Sequence, residues 1–138
     1  LTGVQLEIGE KATEFEHEPF ETTLKKCQRY FCRTYTYGVA TGTASVLGAV
    51  VTQAEVASVY SGAGTWEYPV EMRAAPTITI YSTQNADTTA KITADGTDGN
   101  GTTFGIGSQS VFLCRNNDSS GVAVNVFMKA HAVATAEL

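Results

Sequence analysis

A chain of 138 residues with 9 Lys+Arg against 14 Asp+Glu, net charge −5, is one domain's worth of sequence, long enough for a core without metal or disulfide staples. The acidic balance argues against nucleic acid and anionic membranes as partners, because phosphate binding draws on clustered positive charge. No apolar run approaches the ~18 residues of a membrane span and no charged-then-apolar signal segment is present, so membrane insertion is not expected.

In chain order, an alternating segment (Val4, Leu6, Ile8) ends at Gly9, and a polar bend with Phe15 and Pro19 follows. Helical spacing then takes over: Leu24, Cys27 and Phe31 fall at i, i+3 and i+7, with Glu21 and Lys25 as an i, i+4 pair on another face. A short helix docked by a narrow apolar stripe is expected, with Cys27 a buried free thiol on that stripe. Past Arg33 the pattern is β. Sixteen of the chain's twenty threonines and many valines, punctuated by Gly and Asn clusters, favour pleated surfaces. Tyr35 and Tyr37 alternate with Thr34 and Thr36, and Val46–Thr52 reads as a short buried strand followed by Val56–Tyr60. Trp66–Met72 leads through Pro76 into Thr77–Tyr81, where Ile78 and Ile80 face one way and Thr79 and Tyr81 the other. Ala90, Ile92 and Ala94 alternate with Lys91 and Thr93, Phe104 with Ile106, and Val111 and Leu113 oppose Phe112 and Cys114. The last run is the longest, with Val122, Val124, Val126, Met128 and Ala130 on one face and Asn125, Phe127, Lys129 and His131 on the other. About eight short strands at this spacing predict an all-β fold, an antiparallel β-sandwich with a short N-terminal helix. The mixed second face of the last strand, with Phe127 and Val133 beside polar residues, is expected to line a subunit interface.

Residues suited to chemistry are present without the frames that chemistry needs. Cys27, Cys32 and Cys114 form no metal-type pair at two-residue spacing, and with His17 and His131 they make no zinc pattern, so no metal or other cofactor is expected. Their odd number suits a reducing compartment. Glu67 and Glu71, four apart on one expected strand, share a face at the separation used in glycan hydrolysis, but two acids on a solvent face are the ordinary case. No G-x-S-x-G elbow frames a nucleophile. His131 reads as a half-exposed sheet residue. Asp95–Gly101, DGTDGNG, reads as a hairpin tip and lacks the 12-residue frame and closing Glu of a calcium loop. The chain is expected not to be an enzyme.

Three stretches carry a resemblance. VQLEIG, ATEFEH and TLKKCQRYF between Val4 and Phe31, WEYPVEMRAAPTITI from Trp66 to Ile80, and the terminal ATAEL are similar to segments of bacteriophage and prophage tail-fibre proteins at their C-terminal, receptor-binding end. The segment around Pro69 and Pro76 also resembles that of H-type lectins, small sandwiches that assemble as trimers and bind sugars. These resemblances imply an H-type-lectin-like homotrimer at the fibre tip, with residues 1–20 connecting to upstream fibre domains and the baseplate and 21–138 forming the receptor-binding domain. They imply a virion tail-fibre location, assembly in the host cytoplasm, and a chain that is the C-terminal piece of something longer. The implied function is adsorption to a bacterial surface polysaccharide, capsule or lipopolysaccharide, without cleavage. A structural trimerising cap and a glycan depolymerase fragment are the alternatives.

Sugar sites combine an exposed ring with short polar side chains on loops. Trp66, Tyr60 and Tyr81 are the stacking candidates. Gln84, Asn85, Asp95, Asp98, Asn100, Asn116, Asn117 and Asp118 are the hydroxyl partners, with the receptor contacts expected on the loops Ser82–Gly101 and Asn116–Gly121.

Overall fold

In the computed structural model, which describes residues 8, 11, 14, 17–54, 61–115, 123 and 125–136, one strand organises the rest. The chain forms α1 (Phe20–Gln28), β1 (Phe31–Arg33), β2 (Val50–Gln53), β3 (Ser61–Glu67), β4 (Thr77–Tyr81), β5 (Lys91–Ala94), β6 (Thr97–Phe104), β7 (Ser110–Arg115) and β8 (Phe127–Thr135). All ladders are antiparallel, and β8 pairs with four strands. Its first half lies between β2 and β5, and its second half lies between β1 and β4. Outward from β5 the sheet continues through β6 and β7 to β3, which comes back against β2. The result is a mostly antiparallel β structure, a sandwich rolled toward a half-barrel, with one short helix.

Alternation explains the interior. Met128, Ala130, Ala132 and Ala134 on β8 are fully buried, joined by Ile80, Ile92, Val111 and Leu113 from the neighbouring strands. Three of the four inward positions on the central strand are thus filled by alanine. Bending is assisted where β6 changes partner: residues 97–100 pair with β5 and 101–104 with β7. Gly101 sits at that change, where a Cβ would press 3.0 Å from Ile92 Cγ1.

Several expectations are corrected. The helix stops at Gln28, so Phe31 is not on its stripe but opens β1 opposite Thr135. Without Phe31 the stripe is too short to dock: no residue of α1 is buried, Leu24 is 41% exposed, and Cys27 is exposed rather than interior. Contacts at the helix's start hold it instead, where Glu18 accepts from Thr23 Oγ1 at 3.1 Å and pairs with Lys26. The hydrogen bond from Lys26 keeps the Glu18 carboxyl below its usual range.

The expected buried strand over Val46–Thr52 is only β2. Val46 and Leu47 are exposed because residues 34–49 form a looped segment rather than strands, which also removes the Tyr35/Tyr37 alternation. Gly48 sits there at φ +83, and a Cβ would collide with the Thr34 carbonyl oxygen. Phe104 ends β6 exposed, and Ile106 lies beyond it in a loop. The strand expected at Val56–Tyr60 lies outside the described residues, as does the first one apart from Ile8.

His131 is not half-exposed but fully buried. The looped segment covers it: the Tyr35 ring stacks on the imidazole at 3.7 Å between centroids. His131 Nε2 lies 3.0 Å from the Ser45 carbonyl, which can only accept, so Nε2 carries the proton. Nδ1 then accepts from Thr34 Oγ1 at 2.9 Å, and that oxygen accepts in turn from the Ala132 N–H. Desolvation pushes the His131 pKa down, against a smaller upward effect of the Ser45 bond. Val133 is buried on the same face. This part of the face expected to meet another subunit is therefore sealed by the chain's own residues.

Candidate functional site, a groove on the central strand

Where the looped segment stops covering β8, the strand's outer face opens into a groove of about 510 Å³. Its floor is Lys129 and Phe127, two residues apart on the strand and therefore on the same face. One lip is the β5–β6 turn, Asp95 and Gly96, both in the left-handed region at φ 46 and φ 70 as a tight hairpin requires. Thr83 and Gln84 from the loop after β4 form the adjoining wall. Val46 closes one side, and Asn125 and Val126 lead into Phe127 at the other. Asn125 adopts φ 66, its N–H donates to the Ala54 carbonyl at 2.8 Å, and its carbonyl accepts from Gln53 Nε2 at 3.1 Å.

The Gln84 wall is fixed by a carboxylate. Asp98 accepts from Ser82 Oγ at 2.7 Å, Thr93 Oγ1 at 2.6 Å and Asn85 Nδ2 at 2.7 Å. Ser82 Oγ accepts in turn from the backbone N–H groups of Gln84 and Asn85, each at 3.0 Å. Burial pushes the Asp98 pKa up, but the bonds from Thr93, Asn85 and Ser82 outweigh it and hold the acid below its usual range. A charged anchor thus reaches from β6 into the loop and sets where Gln84 stands.

The residues singled out from sequence divide into groups. Gln84 and Asp95 come together at the groove. Asn85 and Asp98 belong to the hydrogen-bonded anchor behind it. Asn100 accepts from Lys91 Nζ at 2.7 Å and is not among the groove residues. Trp66 is 9% exposed, packed edge-to-face on Tyr68 with centroids 5.0 Å apart, so its ring belongs to the core and is not presented to solvent. Tyr81 is half-buried, its ring in an edge-type contact with that of Tyr35 at 6.2 Å between centroids. Tyr60, Asn116, Asn117 and Asp118 lie outside the described residues. Glu67 ends β3 while Glu71 lies beyond it, so the two acids do not share a strand; Ser108 Oγ donates to Glu71 at 2.9 Å. Among the described residues no His, Cys, Asp and Glu cluster could hold a metal, and no helix is long and apolar enough to cross a membrane.

Sequence reasoning missed Phe127, Lys129 and Asn125 as groove residues. Phe127 is the exposed ring here, 56% accessible and set on a strand paired along both edges. The available signal was its place on the mixed face of the last strand, which points equally to a protein interface and to a ligand platform. Compared with known proteins, the chain matches no protein family, no curated protein and no solved structure.

Proposed function

We propose that this chain is the C-terminal, receptor-binding domain of a phage or prophage tail fibre, and that it binds a bacterial surface glycan without cleaving it. One observation carries the reading: an exposed ring, Phe127, stands at an open groove beside Gln84, Asp95, Asn125 and Lys129. Sugars have apolar C–H faces that lie on aromatic rings and hydroxyls that need amide, carboxylate or ammonium partners. The groove supplies both. The resemblance of the Gly3–Phe31, Trp66–Ile80 and Ala134–Leu138 segments to tail fibres supplies the biological setting. In that setting the domain is an H-type-lectin-like homotrimer, joined through residues 1–20 to the upstream fibre and baseplate. Three shallow sites presented together raise avidity by roughly 10²–10⁴ over one.

The test is competition by the full chain for phage adsorption to host cells, alongside sedimentation. Phe127→Ala is expected to weaken competition at least about tenfold, in line with a stacking contact worth a few kcal/mol. The mass of the chain in solution should be that of a trimer. A second reading, a structural cap that trimerises the fibre, is favoured by α1, which buries none of its residues and exposes Phe20 and Leu24. A stable trimer that does not compete for adsorption would select the cap, whereas undiminished competition by Phe127→Ala would place the receptor contact outside the groove.

A further inference from the structure

We infer that the groove takes an acidic sugar, a hexuronate or a sugar bearing an equivalent carboxylate, with that carboxylate on Lys129 and the sugar ring on Phe127. This rests on the glycan-binding reading and names the class of sugar. Lys129 is half-buried mid-strand, with Val51 of β2 and Thr93 of β5 as its cross-strand partners. Among the described residues its ammonium makes no hydrogen bond and no ion pair. Its polar neighbour Thr93 is already committed, donating to Asp98. Two of the other lysines are engaged, Lys26 with Glu18 and Lys91 with Asn100. Water solvates the Lys129 ammonium while the groove is open.

A ring laid on Phe127 displaces part of that water, and an ammonium left without a counter-charge resists burial. Hydroxyls of a neutral sugar accept hydrogen bonds from the ammonium but bring no counter-charge. A carboxylate brings both, as a charge-assisted ion pair. Asp95 fixes the orientation. It stands on the β5–β6 turn, where it accepts from hydroxyls and repels a second acid group. The groove therefore has one cationic position on its floor and one anionic position on its lip, matched to a sugar with a single acid. The net charge of −5 works against densely charged polymers at long range, so selection occurs at contact.

Saturation-transfer NMR on the full chain tests this, with the methyl glycosides of glucuronate and galacturonate set against those of glucose and galactose at physiological salt. At least one uronide is expected to bind about tenfold tighter than its neutral counterpart. Lys129→Gln should erase that preference, Lys129→Arg should keep it, and Lys26→Gln, distant on α1, should leave it intact. Equal binding of neutral and acidic sugars, a preference that survives Lys129→Gln, or no uronide response overturns the inference. If Phe127→Ala still abolishes host-cell adsorption in those cases, glycan binding stands without the acid; if it does not, both fall.

Discussion

The two halves of β8 have the same alternation and different fates. Met128 and Ala130 point inward in the first half, Ala132 and Ala134 in the second, and all four are fully buried. On the outer face the halves part. His131 and Val133 are sealed, the histidine beneath Tyr35, whereas Phe127 and Lys129 are left to the groove. Periodicity thus determines which side chains share a face, while a loop distant in sequence determines which part of that face becomes a surface.

The contrast can be broken most forcefully at the cover. Tyr35→Ala removes a buried ring and uncovers His131, and is expected to cost about 3–5 kcal/mol in chemical denaturation. Phe127→Ala, in the open half, should cost under about 1 kcal/mol. Similar losses at the two sites would mean that the halves are equally covered in solution. Asp98→Ala comes next, because it strips the acceptor from buried Ser82 and Thr93 and from Asn85. About 1–3 kcal/mol is expected, together with weaker glycan binding through a displaced Gln84.

Titration of His131 is a gentler probe. Its folded pKa lies below the unfolded value of 6.5, so between the two the unfolded chain holds the extra proton. This contribution is fully present above about pH 6.5 and declines as pH falls below it, by at most about 1.4 kcal/mol per pH unit. The Asp98 contribution is lost at lower pH, as its acid protonates near and below 3.8. His131→Gln should flatten the upper segment of a stability–pH curve and leave the lower one. The smallest effect is expected at Leu24→Ala, under about 1 kcal/mol for an isolated chain because the helix buries nothing. A loss above about 2 kcal/mol in thermal unfolding would instead reveal a neighbour covering α1.

Local pattern revealed much of the sheet. Thr77–Tyr81, Lys91–Ala94 and Val111–Cys114 are strands, but the hairpin tip expected over Asp95–Gly101 shrinks to Asp95 and Gly96, because Thr97–Gly101 pair as part of β6. The failures share a cause. The Leu24–Cys27–Phe31 spacing, the Val46–Thr52 run and the His131 exposure all depend on what lies over a residue, which neighbouring sequence does not encode. Trp66 shows the same limit, since a tryptophan beside turn residues suits a platform and a core equally. At the groove, Gln84 and Asp95 were visible as polar loop residues. Phe127 and Lys129 were not, because a sheet face acquires its role from the chain that leaves it bare.

The position of β8 in the sequence also sets the order in which the molecule can assemble. It is the last of the described strands, yet β1, β2, β4 and β5 all pair with it, Phe31 with Thr135 at the greatest separation. During synthesis those four strands emerge with a ladder edge unfilled and wait for a partner made after all of them. Loop closure over such distances is slow, and open strand edges are templates for pairing with other nascent chains. Folding of this domain is therefore a late, concerted event, and truncation before Phe127 should yield aggregate rather than a smaller sheet.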